Sequence, residues 1–77
     1  MTYTVKTLRA AGLEARWSRN SAGAPIIVAR DPKAEHRHQR ETWWMVDAGM
    51  WKEMEKEGIK KTFDQFTLLG DVFSVPA

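Results

Sequence analysis

The sequence contains no cysteine, which excludes disulfide bonds, thiolate zinc sites and cysteine nucleophiles. It also has no Gly-rich phosphate-binding loop and no Gly-x-Ser-x-Gly motif. Only two histidines occur, His36 and His38, and two ligands are too few for zinc, which takes at least three from protein. We therefore expect no metal, no cofactor and no enzymatic activity.

Long apolar runs are also missing. No stretch approaches the roughly 18 apolar residues of a membrane span, and the segment Met1–Lys6 lacks the apolar core of a signal peptide. These features predict a cytoplasmic protein with no membrane partner. The 77 residues fit one compact domain, residues 1–77, that buries only about 60% of its unfolded surface.

Large side chains and charge are what the sequence does have. Four Trp, three Phe and four Met can fill a thin core, because an aromatic side chain buries about 150–250 Å². Residues 1–40 carry eight Lys or Arg against three acids, a net charge of +5, whereas residues 41–77 carry four against seven, a net charge of −3. A basic half suits a nucleic acid or an acidic protein surface, although it also fits a merely solvated face.

The first thirty residues predict a helix followed by a β-hairpin. Thr4 can cap a helix over 5–11, and Gly12 follows it at a position typical of a Schellman ending. Residues 13–18 alternate apolar and polar, as a half-buried strand does, and 26–29 form a β-branched run after a turn over 20–23.

The segment from Glu41 to Gly58 admits two interpretations. As a strand, it would send Trp43 and Trp44 to opposite faces and leave one indole in water. As a helix, it gathers most of its apolar residues on one arc of about 160°. We therefore predict one helix over 41–57, with Trp43, Met50, Trp51 and Met54 facing the sheet.

The remaining elements complete a predicted α+β fold. Thr62-x-x-Gln65 has the pattern of a capping box and predicts a short third helix that ends at Gly70, followed by a strand over 72–75. The predicted order is α-β-β-α-α-β. It corresponds to a two-layer α/β sandwich, in which helices cover one face of a three-stranded antiparallel sheet.

Asp47 lies among Trp43, Trp44 and Trp51 on the predicted helix. A buried carboxylate needs a partner, so we expect it to accept a hydrogen bond from a Trp Nε1 or an Arg such as Arg40. If this part of the helix were uncovered, Asp47 and the tryptophans would instead line a binding groove.

A basic segment over 30–40 precedes the tryptophans. Positive charges near a helix N-terminus interact unfavourably with the helix dipole, and we expect the segment to project beyond the core as a loop or an exposed helical arm. Basic residues next to a Trp pair suit phosphate contacts with base stacking, or Arg and Trp anchors at a protein interface. The predicted binding residues are Lys33, Arg37, His38, Arg40, Trp43, Trp44 and Asp47.

These observations favour a small non-catalytic protein-binding module over an enzyme. In composition the chain resembles the small accessory or inhibitory proteins of phages and mobile elements, which act stoichiometrically on larger complexes. The alternative is a nucleic-acid-binding domain that uses the same basic segment together with Arg16 and Arg19. The oligomeric state, including a homodimer, stays open.

Overall fold

The computed structural model describes residues 4–70 and 72–75. They form a small α+β domain with a four-stranded antiparallel sheet in the order β1-β2-β3-β4. The strands are β1 (Glu14–Arg19), β2 (Pro25–Arg30), β3 (Trp43–Met45) and β4 (Ser74–Val75), and the helices are α1 (Val5–Ala10), α2 (Arg37–Glu41), α3 (Ala48–Glu57) and α4 (Ile59–Leu69). The α+β class is confirmed, but the sheet has four strands and not three.

The first helix ends as the sequence predicts. The backbone N–H of Leu13 donates to Leu8 O at 3.2 Å, and that of Gly12 donates to Arg9 O at 3.0 Å, which is the Schellman pair of bonds. Gly12 has a φ of +93°, a conformation that a side chain would strain. Leu13 is thereby placed in the core at the start of β1.

The predicted hairpin is also confirmed. β1 and β2 pair from Glu14 opposite Arg30 to Arg19 opposite Pro25. Asn20 organises the turn, since its Oδ1 accepts hydrogen bonds from the backbone N–H groups of Ala22 and Ala24. An Asn side chain that bonds to backbone two residues on is a common way to fix a tight turn.

The predicted helix over 41–57 is wrong at its N-terminal end. Residues 43–45 form β3, and the helix begins only at Ala48, after Asp47. Trp43 and Trp44 do point to opposite faces of the sheet, as a strand requires. Both are nevertheless buried, because arginines from β1 and β2 cover the indole that we expected to meet water.

The third predicted helix begins earlier than its capping-box pattern indicated. α4 starts at Ile59, directly after Gly58, and Thr62 is buried inside it. Its predicted end at Gly70 is confirmed by a left-handed residue there, with a φ of +71°. β4 then pairs with β3, so the order becomes α-β-β-α-β-α-α-β.

The core lies between one face of the sheet and the helices. Ala15, Ala29, Trp44 and Val46 supply the sheet side of this cluster, and the helix side comes from Leu8, Met50, Met54 and Phe63. The core positions predicted for Met50 and Met54 are confirmed. None of the helices within the described ranges combines the length and apolar character that crossing a membrane requires.

Candidate functional site

The second face of the sheet, here called the open face, lies outside the hydrophobic core cluster formed within residues 4–70 and 72–75. The register and the strict alternation of strand side chains place its residues there. From β1 to β4 they are Glu14, Arg16, Ser18, Ile26, Val28, Arg30, Trp43, Met45, Phe73 and Val75.

Trp43 is the centre of the basic half of the open face. The guanidinium carbon of Arg16 lies 4.4 Å from its ring centroid, and that of Arg30 lies 4.5 Å away. Cation–π contacts of this kind are worth about 0.5–2 kcal/mol each. The alkyl stems of the two arginines cover apolar surface while their charges stay near water, which leaves only 8% of Trp43 exposed.

One acid balances this cluster. Glu14 Oε2 accepts from Arg30 Nε at 3.1 Å and lies 3.0 Å from its Nη2. This contact links neighbouring residues of β1 and β2 and fixes the Arg30 side chain over the sheet. Exposed Arg16, with exposed Arg9 beside it, thus supplies positive charge at this end of the open face.

The other half of the open face is apolar. A cleft of about 600 Å³ is lined by Ile26, Met45, Phe73 and Val75, with Arg19 at its rim. Phe73 is 75% exposed, and Ile26, Met45 and Val75 are half-buried. Exposed large apolar side chains that adjoin one another mark interaction surfaces more often than isolated ones do.

The basic segment is more internally engaged than the sequence indicated. Arg40 Nη1 donates to the carbonyls of Ala34 and Glu35 at 2.7 and 2.8 Å, so it holds the preceding loop. Arg37 Nε donates to Glu41 Oε2 at 3.0 Å on the surface of α2.

Two more of the predicted binding residues in this segment, Lys33 and His38, lie on the surface. The exposed His38 ring lies with its centroid 5.6 Å from that of His36 and 6.3 Å from that of Trp44. No group of three or more Asp, Glu or His side chains within the described part of the chain could hold a metal ion.

The predicted site residues therefore do not form one surface. Trp43 lies on the open face, whereas Trp44 is on the core side of β3 and is 7% exposed. Asp47 is the N-cap of α3, and its Oδ1 accepts from the backbone N–H of Met50 at 2.8 Å. The alternative interpretation, a groove of Trp43, Trp44 and Asp47, is wrong because β3 directs the two indoles to opposite faces of the sheet.

A buried ionic cluster lies under the basic segment. Asp31 is buried, and its carboxylate pairs with Lys60 of α4 and accepts from the backbone N–H of Lys33. Burial by itself would raise the pKa of Asp31, but the hydrogen bonds from Lys60 and Lys33 outweigh it and lower the pKa. The bond to Asp31 raises the pKa of Lys60.

Asp64 completes this cluster. Its Oδ2 lies 3.5 Å from Lys60 Nζ, and burial, with the charge of Asp31 nearby, raises the pKa of Asp64 despite that lysine. The cluster ties the loop after β2 to α4. Each of its charges has a structural partner, so we assign it to stability.

The open face was missed as a site by sequence reasoning, although a signal for it was present. Three of the four residues in Val72-Phe73-Ser74-Val75 are apolar. As a strand, this segment directs either 72 and 74 or 73 and 75 away from the core, so at least one apolar side chain must face outward. Comparison of the chain with known protein families, curated proteins and solved structures gives no significant match.

Proposed function

We propose that this chain is a small, non-catalytic protein-binding module whose open face receives a partner protein. The observation that carries the proposal is the exposed Phe73, which stands among Ile26, Met45 and Val75 beside an arginine rim. An apolar centre with a polar rim is the common anatomy of a protein interface. By extension, the chain acts stoichiometrically, as an inhibitor or regulator of a larger complex.

The energetics favour Phe73 as the anchor. A phenylalanine that becomes fully covered buries on the order of 150 Å², which at about 25 cal/mol per Å² is worth ~3–4 kcal/mol before the costs of association. Arg19 at the rim of the cleft and Arg16 in the basic half of the open face match a partner with an apolar protrusion flanked by Asp or Glu. Such rim charges mainly raise the association rate.

The geometry gives less support to a nucleic-acid partner. Base stacking needs an accessible aromatic face, and the two tryptophans predicted for this role, Trp43 and Trp44, are both buried, although Trp17 and Phe73 are exposed. Arg37 donates a hydrogen bond to Glu41, and Arg40 donates to loop carbonyls. Fewer of their N–H groups are therefore free to bind phosphates. A nucleic-acid partner therefore becomes an outcome of the test below.

The first prediction compares Phe73→Ala with Leu69→Ala. Leu69, at the end of α4, is also a large exposed apolar residue, 68% exposed against 75% for Phe73, but it does not belong to the open face. The immobilised wild type is used to capture proteins from cells that express it, and the affinity of the captured partner is then measured for each variant. We expect Phe73→Ala to weaken binding by about 2 kcal/mol or more, while Leu69→Ala binds as the wild type does.

Two results would contradict the proposal. One is a partner that Phe73→Ala and Leu69→Ala bind equally well. The other is sub-micromolar binding of DNA or RNA in a gel-shift assay that falls steeply with salt and persists in Phe73→Ala. Circular dichroism of both variants checks that the fold is retained.

A further inference from the structure

The outer edge of β1 is a second surface, which adjoins the open face at Arg16. β1 is the first strand in the sheet order, and within residues 4–70 and 72–75 its one strand partner is β2. Edge strands normally carry protection such as a proline, a bulge or charged side chains. β1 (Glu-Ala-Arg-Trp-Ser-Arg) has no proline, and its own protection is the charge of Glu14, Arg16 and Arg19. Its side chain at the centre of the edge, Trp17, is 63% exposed.

The hydrogen-bond pattern shows which backbone groups of β1 are directed outward. The backbone N–H of Asn20 donates to Ala24 O at 3.0 Å, and bonded pairs alternate along an antiparallel ladder. Residues 14, 16 and 18 therefore bond to β2, and the N–H and C=O groups of 15, 17 and 19 point away from it. Pro25, which has no N–H, lies opposite Arg19, as this pattern requires.

Arginines flank this outward edge. Arg9 reaches it from α1, since its Nε donates to Ala15 O at 3.0 Å. A shallow groove of about 410 Å³ beside β1 is lined by both Arg9 and Arg16, and exposed Arg19 lies at the far end of the strand. The one acid on β1, Glu14, is already paired with Arg30.

We propose that the β1 edge takes up an extended, acidic segment of a partner protein as an additional antiparallel strand. Strand addition obtains affinity from main-chain hydrogen bonds and specificity from alternate side chains. Here the outward groups of Trp17 and Arg19 and the N–H of Ala15 supply the bonds, since Ala15 O already accepts from Arg9 Nε. Trp17 packs on an apolar or β-branched residue, and the arginines select Asp or Glu beside it.

A second copy of this chain fits the edge less well. A two-fold pairing that uses all three outward residues places Trp17 opposite Trp17 of the copy and Arg19 opposite Ala15 of the copy. Each Arg19 would then approach the Arg9 of the other copy, and the two Arg16 residues would lie diagonally across the ladder. Like charges in such positions are destabilising. An acidic strand would instead bring Asp or Glu side chains next to these arginines, which is favourable.

The test begins with a phage-displayed library of random peptides selected on the purified protein. We expect the enriched peptides to alternate Asp or Glu with Val, Ile, Thr or Tyr. Binding of one synthesised peptide is then measured for Trp17→Pro and Trp17→Thr. Proline removes the outward N–H at a position where no ladder bond to β2 is lost, so it should weaken binding about tenfold or more, while threonine retains the N–H and most of the affinity.

Charge reversal tests the acidic part of the proposal. Arg19→Glu should weaken binding of the acidic peptide severalfold and slow its association. Lys52→Glu is the matched control, because Lys52 is an exposed cation on α3 away from this edge, and it should leave binding unchanged. Phe73→Ala should also leave peptide binding unchanged, which separates this proposal from that for the open face.

Amide hydrogen exchange reports on the same strand without any substitution. In the free protein the amides of Arg16 and Ser18 should exchange slowly, and those of Trp17 and Arg19 quickly; peptide binding should protect Trp17 and Arg19. Three results would overturn the proposal: peptide binding without this protection, concentration-dependent protection in a dimer without peptide, or salt-sensitive nucleic-acid binding that Trp17→Pro leaves intact.

Discussion

At the scale of single residues, the ion pair between Asp31 and Lys60 shows how this small domain stabilises a buried carboxylate. The Asp31 side chain is almost fully buried, whereas that of Lys60 is about half exposed. Solvent screening therefore reduces what the lysine contributes, and the neighbouring N–H of Lys33 supplies part of the stabilisation. Removing the lysine would leave Asp31 buried with one partner fewer.

The second prediction concerns acid unfolding. Because the pKa of Asp31 is lowered in the folded state, its stabilising effect is complete above the unfolded value of about 4. That effect is lost as the pH falls through the folded pKa. We expect Asp31→Asn to reduce the free energy of unfolding by about 1–3 kcal/mol at neutral pH and to remove this part of the acid dependence, as measured by urea unfolding at a series of pH values.

Asp64→Asn is the matched control for that experiment. The pKa of Asp64 is raised in the folded state, so its ionisation opposes folding at neutral pH, and protonation as the pH falls favours the folded state. The asparagine variant should keep the acid dependence due to Asp31 and should not be less stable at neutral pH. An Asp31→Asn protein with the acid dependence of the wild type would contradict the assignment.

At the scale of elements, the stability of α3 depends on Asp47, the residue that caps its start. Asp47 accepts a hydrogen bond from Met50 N at 2.8 Å, and a carboxylate at this end also interacts favourably with the helix dipole. The third prediction is that Asp47→Ala costs about 1 kcal/mol of stability, within the usual range of 0.5–2 for an N-cap. Asp47→Asn, which retains the side-chain acceptor, should cost only a fraction of that, as measured by thermal or urea unfolding; equal losses would contradict the cap.

Elements with short-range determinants could be predicted from the sequence. The Schellman ending at Gly12 and the turn at Asn20 depend on residues within five positions of one another, so their patterns were sufficient. The start of α3 was not predicted, because Asp47 fits both a position inside an apolar arc and an N-cap. Only the strand before it distinguishes the two.

That strand could not be predicted for a physical reason. A strand at 43–45 requires cover for Trp43, and the cover comes from Arg16 and Arg30 in other strands. Periodicity within the segment contains no information about those contacts. For the same reason the candidate site was only partly predicted: Trp43 was included, whereas Phe73 and Met45 become neighbours only when β4 pairs with β3.

At the scale of the whole molecule, the strands lie in the sheet in the same order as in the chain, but their connections differ greatly. β1 and β2 are joined by a tight turn, whereas α3 and α4 lie between β3 and β4. The helical pair is thus held to the sheet partly through the β4–β3 pairing and partly through the core.

This unequal spacing has a consequence for the order in which the domain folds. Closing the short loop of the hairpin costs little chain entropy, whereas bringing β4 to β3 costs more, because the intervening segment is longer. We expect the hairpin to be formed in the folding transition state and β4 to join after it.

The fourth prediction is therefore kinetic. Val28→Ala in β2 should slow folding, while Val72→Ala, a buried residue just before β4, should mainly accelerate unfolding. Both side chains are nearly fully buried valines, so the two variants are matched in chemistry, and stopped-flow measurements of both rates against urea distinguish them. Equal φ-values would show that β4 is already docked in the folding transition state.

If β4 docks last, the Phe73 anchor takes its place on the open face only in the final step of folding. A partner that recognises Phe73 then binds only fully folded molecules.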